Sequence, residues 1–282
     1  MIRVQPLELP TEALAKLMEL QRELDSLPTY AQRVSAAIEQ WPSRRQRKVF
    51  DLVKEVLGKM CSGPGRCMFC EDNGACQIEH FRPKSLYPGL VYAWVNYLFA
   101  CGQCNAPKSN RFAIFSASGE VLELVRPASE PESGPSVLLD PRQDDPMDYL
   151  WLDLSDTFLF KPIHAAGTPD HSRAEVTVRW LGLNDRDELV EARRSAYANY
   201  LALFEQYATR KRSNADPQAI ERPRKAIERS PHITVWREMQ RQQQTRDELR
   251  ALFAEAPEAL KWRKAARAGD CARHDPGGTR SC

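Results

Sequence analysis

Two Cys-x-x-Cys pairs, Cys67-Met68-Phe69-Cys70 and Cys101-Gly102-Gln103-Cys104, constrain this chain more than any other feature of its sequence. Two residues between thiols allow a tight turn to point both sulfurs at one ion, and two such turns complete a closed tetrahedral zinc site. The four sulfurs should then lie about 3.5–4 Å apart, as zinc–sulfur bonds near 2.3 Å require. Cys61 or Cys76 is an alternative to one of the four. No βαβ pattern surrounds either pair, which argues against a redox dithiol. Cys271 and Cys282 fall in a Gly- and Pro-containing tail and read as surface thiols. Eight cysteines without a leader-like segment suit a metal site better than a disulfide framework. The first residues lack a basic stretch followed by an apolar run, and no run approaches the roughly 18 apolar residues of a membrane span. The expectation is a soluble, cytoplasmic protein with no membrane partner.

The 30 residues between the pairs exceed ordinary finger spacing, so the enclosed loop has room for function. It holds Gln77-Ile78-Glu79-His80-Phe81-Arg82-Pro83-Lys84 and Trp94-Val95-Asn96; Asn105-Ala106-Pro107-Lys108 follows the second pair. These residue types suit phosphodiester hydrolysis. An imidazole deprotonates water near neutral pH, which makes His80 the candidate base. A hard ion such as Mg2+ or Mn2+ needs oxygen ligands, which the Glu79 carboxylate and an amide carbonyl supply. Adjacent residues on a strand face opposite ways, so Glu79 and His80 can share a site only at a bulge or strand end. A helix beginning at Asn105 would meet a phosphate with its N-terminus and place Lys108 on the same face. Arg82, Lys84 and Lys108 are the nearest phosphate contacts.

Around this module the periodicity is helical. Apolar spacing predicts helices from Thr11 to about Leu27, Thr29 to about Trp41 and Ser43 to about Met60, with Thr11, Thr29 and Ser43 as N-caps. The third carries Arg44, Arg45, Arg47 and Lys48 at its start, where positive charge opposes the helix dipole. That run is either a solvated face or a polyanion contact. Net charge is only +2, but residues 43–112 hold eleven Lys or Arg against five Asp or Glu. Basic charge is thus concentrated around the module. Ala128 to Ser136 reads as a linker, Val137-Leu138-Leu139 and Phe158-Leu159-Phe160 as strands, and Pro169 to Arg173 as loop. Helices follow from about Arg186 to Lys211, Pro217 to Glu228, with Pro223 as a kink, and Thr234 to Phe253. The fold expected is α+β and mainly helical, divided into a helical segment 1–60, a zinc-stapled core 61–127, a mainly helical region 128–262 and a disordered tail 263–282.

The ordered set Cys-x-x-Cys, Glu-His-Phe-Arg-Pro-Lys-Ser, Tyr-Pro-x-x-x-Tyr-x-Trp-x-Asn and Cys-x-x-Cys-Asn-x-x-Lys resembles the HNH endonucleases with their ββα-metal core. The resemblance implies His80 as general base, Asn96 as the residue that orients its loop, and Glu79 and Asn105 as ligands of a catalytic Mg2+ or Mn2+. Structural zinc would sit on Cys67, Cys70, Cys101 and Cys104. Leu138-Leu139-Asp140-Pro141-Arg142, Asp144-Asp145-Pro146, the run Thr177 to Asn184 and Glu191-Ala192-Arg193-Arg194 extend the similarity to the PtuB nuclease subunits of Septu-type, and some retron-associated, anti-phage systems. It spans about Met60 to Arg194, with an echo at Thr234 to Met239. It implies a metal-dependent endonuclease acting on nucleic acid, DNA ahead of RNA, beside a PtuA-like ABC-type ATPase. The opposing class is a non-catalytic zinc module that binds nucleic acid or regulates a partner.

Overall fold

The computed structural model describes residues 1–125 and 129–262; the expected tail, with Cys271 and Cys282, lies outside the described residues. The chain is mainly helical, with three small antiparallel two-stranded sheets among those residues.

The N-terminal segment contributes α1 (Thr11–Asp25), α2 (Tyr30–Arg44) and α3 (Lys48–Met60). Thr29 caps α2 through a reciprocal capping box with Gln32. The boundary between α2 and α3 differs from expectation. Ser43 starts no helix: α2 runs through Pro42 to Arg44, and α3 begins five residues later than Ser43, at Lys48. Arg44 and Arg45 therefore lie at the C-terminal end of α2, where a positive charge favours rather than opposes the dipole. The α3 stripe of Phe50, Val53, Val56, Leu57 and Met60 is buried.

Next come β1 (Gln77–His80), β2 (Tyr97–Ala100) and α4 (Gly102–Lys108). Strands β1 and β2 pair antiparallel with Gln77 opposite Ala100 and His80 opposite Tyr97. A second ribbon joins β3 (Ala113–Phe115) to β4 (Val121–Glu123). Val137 to Leu139, expected as a strand, is a buried extended segment with one ladder bond, Val137 N–H to the Ala113 carbonyl. The third sheet pairs β5 (Leu150–Leu152) with β6 (Phe160–Pro162).

Pro169 to Arg173 is helix, not loop: Thr168 caps α5 (Pro169–Trp180), whose first residue is a proline tolerated there. The long α6 (Asp187–Arg212) and α7 (Pro217–Arg229), with Pro223 inside it, follow closely the expected ranges. The last expected helix is two, α8 (Ile233–Gln242) and α9 (Asp247–Glu255). They pack Trp236 and Phe253 against Phe204 of α6, and Trp236 stacks on Trp262 with ring centroids 5.9 Å apart. His232, buried in the left-handed region (φ 52°), precedes α8. No helix of the described residues is long and apolar enough to cross a membrane.

Candidate metal centre and cleft

Ribbon register builds the cysteine cluster. Because Gln77 pairs with Ala100, the chain entering β1 and the chain leaving β2 meet at one end. Met68 N–H donates to the Phe99 carbonyl at 2.9 Å and Cys76 N–H to Ala100 at 3.2 Å, which lays the first turn beside the second. Cys67, Cys70, Cys101 and Cys104 are all buried, with their sulfurs within 4.8 Å of one another. The Cys70 and Cys101 sulfurs are 3.7 Å apart, close to the roughly 3.8 Å edge of a tetrahedron with bonds near 2.3 Å. An all-thiol donor set buried this close together can hold zinc. Burial pushes the Cys67 thiol up, while neighbouring thiols pull Cys101 down. Four thiols so close cannot all ionise without a cation among them. Arg186, at the start of α6, donates from Nη2 to Cys104 Sγ at 3.4 Å and from Nη1 to Gln103 at 3.2 Å.

Glu79, His80 and Asn105 line one cavity of about 340 Å³, together with Trp41, Arg45, Gln77, Lys84 and others. His80 is the last residue of β1, so the strand ends where two adjacent side chains must reach the same space. Asn96 secures that end. Its buried Oδ1 accepts the Arg82 N–H at 2.8 Å, and its Nδ2 donates to the Arg82 and Leu90 carbonyls, both at 3.0 Å. From farther along, Arg142 donates to the Trp94 carbonyl at 2.9 Å and the Tyr97 carbonyl at 2.8 Å, on either side of Asn96. Its guanidinium lies 4.6 Å from the Trp94 ring centre.

The His80 ring is buried, edge-on to Trp41 at 4.4 Å and to Tyr97 at 5.3 Å. Nε2 is 2.9 Å from the Val91 carbonyl. A carbonyl only accepts, so Nε2 carries the proton and Nδ1 keeps its lone pair. Burial, reinforced by the Lys84 and Lys108 ammonium groups, holds the imidazole down to about 3. It is neutral throughout the physiological range.

Glu79 is buried as well, and burial raises its carboxyl despite the opposing pull of Lys108. Lys108 Nζ lies 2.5 Å from Glu79 Oε1 and donates to the His80 carbonyl at 3.0 Å. The expectation that Lys108 reaches a phosphate thus meets a side chain that is fully buried and pins α4 to β1. Helix α4 starts at Gly102, not at Asn105, whose own N–H is bonded to the Cys101 carbonyl. No phosphate meets a free helix end at Asn105. The Asn105 side chain donates to Gln77 Oε1 at 2.6 Å, and its Oδ1 accepts no bond among the described residues. Arg82 turns from the cavity; its guanidinium lies 5.0 Å from the ring centres of both Tyr87 and Phe112. Lys84 does line the cavity, and burial lowers it. One carboxylate and one free amide oxygen suit a hard divalent ion whose remaining positions go to water and phosphate.

Gln77, Trp41 and Arg45 line the cavity without having been proposed as site residues. Gln77 had a usable signal, since residues two apart on a strand share a face with Glu79. Arg45 had a weaker one, as part of the basic run, and Trp41 had none, because α2 reaches the cavity only through tertiary packing.

No protein-family model matches the chain, and no solved structure matches it. The chain is similar to the Septu protein PtuB of Bacillus thuringiensis, 40% identical over 48 residues. That stretch covers 15% of this chain and spans 19% of the length of that protein. The relationship is local and distant.

Proposed function

We propose that the chain is a metal-dependent endonuclease of the HNH type, hydrolysing phosphodiester bonds of nucleic acid as the effector of an anti-phage system. The observation that carries this reading is the meeting of Glu79, His80 and Asn105 on one cavity at the end of a strand–strand–helix unit stapled by four cysteines. The local likeness to PtuB supports the defence role.

Glu79 and Asn105 would hold a Mg2+ or Mn2+ ion, which when bound would stabilise charge on the phosphate and on the leaving oxygen. Nδ1 of His80 takes a proton from water. The water oxygen bonds to phosphorus as the bond to the leaving oxygen breaks. Val91 fixes the tautomer that leaves Nδ1 free, and Asn96 fixes the strand end from which His80 projects. Lys84 has a second effect: its charge helps hold the imidazole down. A phosphate drawn onto Lys84 cancels that charge, so the base strengthens as substrate arrives. Lys108 opposes the burial that raises the Glu79 carboxyl. The 282 residues contain no G-x-x-x-x-G-K-[ST] loop, so ATP hydrolysis would come from a PtuA-like ABC-type partner.

The second reading, a non-catalytic zinc-stabilised subunit that binds nucleic acid or a partner, draws on the burial of His80 and on the Glu79–Lys108 pair that already fills a carboxylate oxygen. His80→Ala separates them. Loss of Mg2+- or Mn2+-dependent cleavage, with zinc content and oligonucleotide binding retained, supports the enzyme. Cleavage unchanged by the substitution refutes the mechanism.

A further inference from the structure

A second cavity of about 330 Å³ adjoins the first, sharing Trp41, Arg45, Gln77 and Ile78 and adding Gln46, Asp51, Lys54 and Cys76. The two form one groove, running from His80 across the α2–α3 junction. Its charges are out of balance. Within the walls, Glu79 is already neutralised by Lys108. Arg45, Lys54 and Lys84 then face Asp51 as the one remaining acid of the lining. None of the three cations has a carboxylate within ion-pair distance among the described residues. By contrast Arg44, the neighbour of Arg45, turns away to Glu23 at 2.7 Å. Arg45 and Lys84 are close enough for the charge of Arg45 to push Lys84 down.

Arg45 is exposed at the groove wall, and Lys54 and Lys84 are half-buried, so an anion entering the groove meets cations that no carboxylate already neutralises. The cations also follow one another from cavity to cavity: Lys84 lines the first with His80, Arg45 lies at the shared wall and Lys54 lines the second, on α3. A single small anion would not span both cavities, whereas successive phosphates of one strand would.

We propose that the groove over the α2–α3 junction is a nucleic-acid backbone track, with Arg45 and Lys54 binding phosphates to one side of the bond cut at His80. The proposal rests on the nuclease reading only for the position of the cut. The basic run of residues 44–48 is thereby divided: Arg44 serves the fold and Arg45 the ligand. Contacts of this kind set affinity and register without reading bases.

The test is fluorescence anisotropy of labelled single-stranded and duplex oligonucleotides with the full chain, zinc retained and Mg2+ and Mn2+ absent. The unaltered chain is compared with R45E/K54E, with R45Q/K54Q, and with R222E/K225E as a control of equal charge change on exposed α7 positions. Expected for R45E/K54E is a loss of affinity of about tenfold or more, and a shallower salt dependence, by roughly 1.8 in log–log slope for duplex and 1.4 for single strand. The glutamine pair should show a smaller loss in the same direction, and the control little. Asp51→Asn should tighten binding. Equal loss in the control, unchanged affinity of both Arg45/Lys54 pairs, or no binding by the unaltered chain at low salt overturns the track. Track-dependent binding without any cleavage under added Mg2+ or Mn2+ would leave the track standing and remove the nuclease reading. Cleavage with track-independent binding would do the reverse.

Discussion

Replacing Lys108 by Met tests the most consequential departure from expectation, since the side chains are similar in volume and the substitution removes chiefly a charge. In the folded chain the Lys108 ammonium is fully buried, 2.5 Å from a carboxylate that is itself buried. Breaking such a pair from one side leaves an uncompensated charge and costs about 3–5 kcal/mol. Glu79 would keep the field of Lys84 and a bond from the His80 backbone, so the lower end, about 3 kcal/mol, applies. The His80 carbonyl would also lose its donor. Urea unfolding at pH 7, with zinc content checked, reads the difference. A pH series sharpens it. With Lys108 gone, desolvation of Glu79 is opposed only by Lys84 and the His80 backbone bond, so its folded pKa moves further above the unfolded value. The resulting penalty is present while Glu79 is charged and fades as falling pH protonates it. The deficit of the variant should therefore narrow between pH 7 and pH 5. A variant within 1 kcal/mol of the parent at pH 7, but with weakened oligonucleotide binding, would show that Lys108 serves phosphate instead and refute the buried-pair argument.

Cys101→Ser should remove the bound zinc, read as one ion per chain by elemental analysis of the parent. Because structural zinc contributes about 10–16 kcal/mol in small zinc modules, protease sensitivity should appear across residues 61–108; an unaltered proteolysis pattern would contradict a structural ion. Asn96→Ala strips three hydrogen bonds from a buried amide and should cost about 2–3 kcal/mol. On the proposed nuclease function it should also lower kcat by more than about tenfold, through loss of orientation, while KM holds. Burial holds His232 down to about 4, so the unfolded chain takes up its proton first and stability falls as pH drops from about 6.5 to 4. His232→Asn, which tolerates the left-handed backbone, should lose that component, about 3 kcal/mol in full; parallel pH–stability curves for the two proteins would exclude it.

The sequence was informative where a single local pattern decides the outcome. The two cysteine turns and the capped α2 were legible because spacing and capping chemistry act within a few residues. Long α6 showed for a related reason, its period being sustained over 26 residues. Boundaries that depend on tertiary contact were not legible. Nothing local says that α2 passes through Pro42, or that the segment from Ile233 to Glu255 breaks near Gln243. Within the cavity, Glu79, His80 and Asn105 could be nominated from their order. Lys108 could not be assigned correctly, because i,i+3 spacing with Asn105 gives the helix face but not whether that face meets solvent or the β1 carboxylate. The packing of Arg82 was not legible either: its aromatic partners Tyr87 and Phe112 are brought together only by the fold.

The Arg142 guanidinium has implications for how portable the cavity is. The carbonyls it grips stand on both sides of Asn96, yet Arg142 lies 45 residues beyond Tyr97 in the chain. A graft of residues 61–127 into another scaffold would carry the cysteines, Glu79, His80 and Asn105 but leave this handle behind, together with Trp41 and Arg186. Recombination breakpoints between the cysteine module and the helices after it should therefore be selected against. Substitutions at Trp94 and Arg142 should co-vary across lineages, as parts of one inherited unit rather than of a cassette with dispensable flanks.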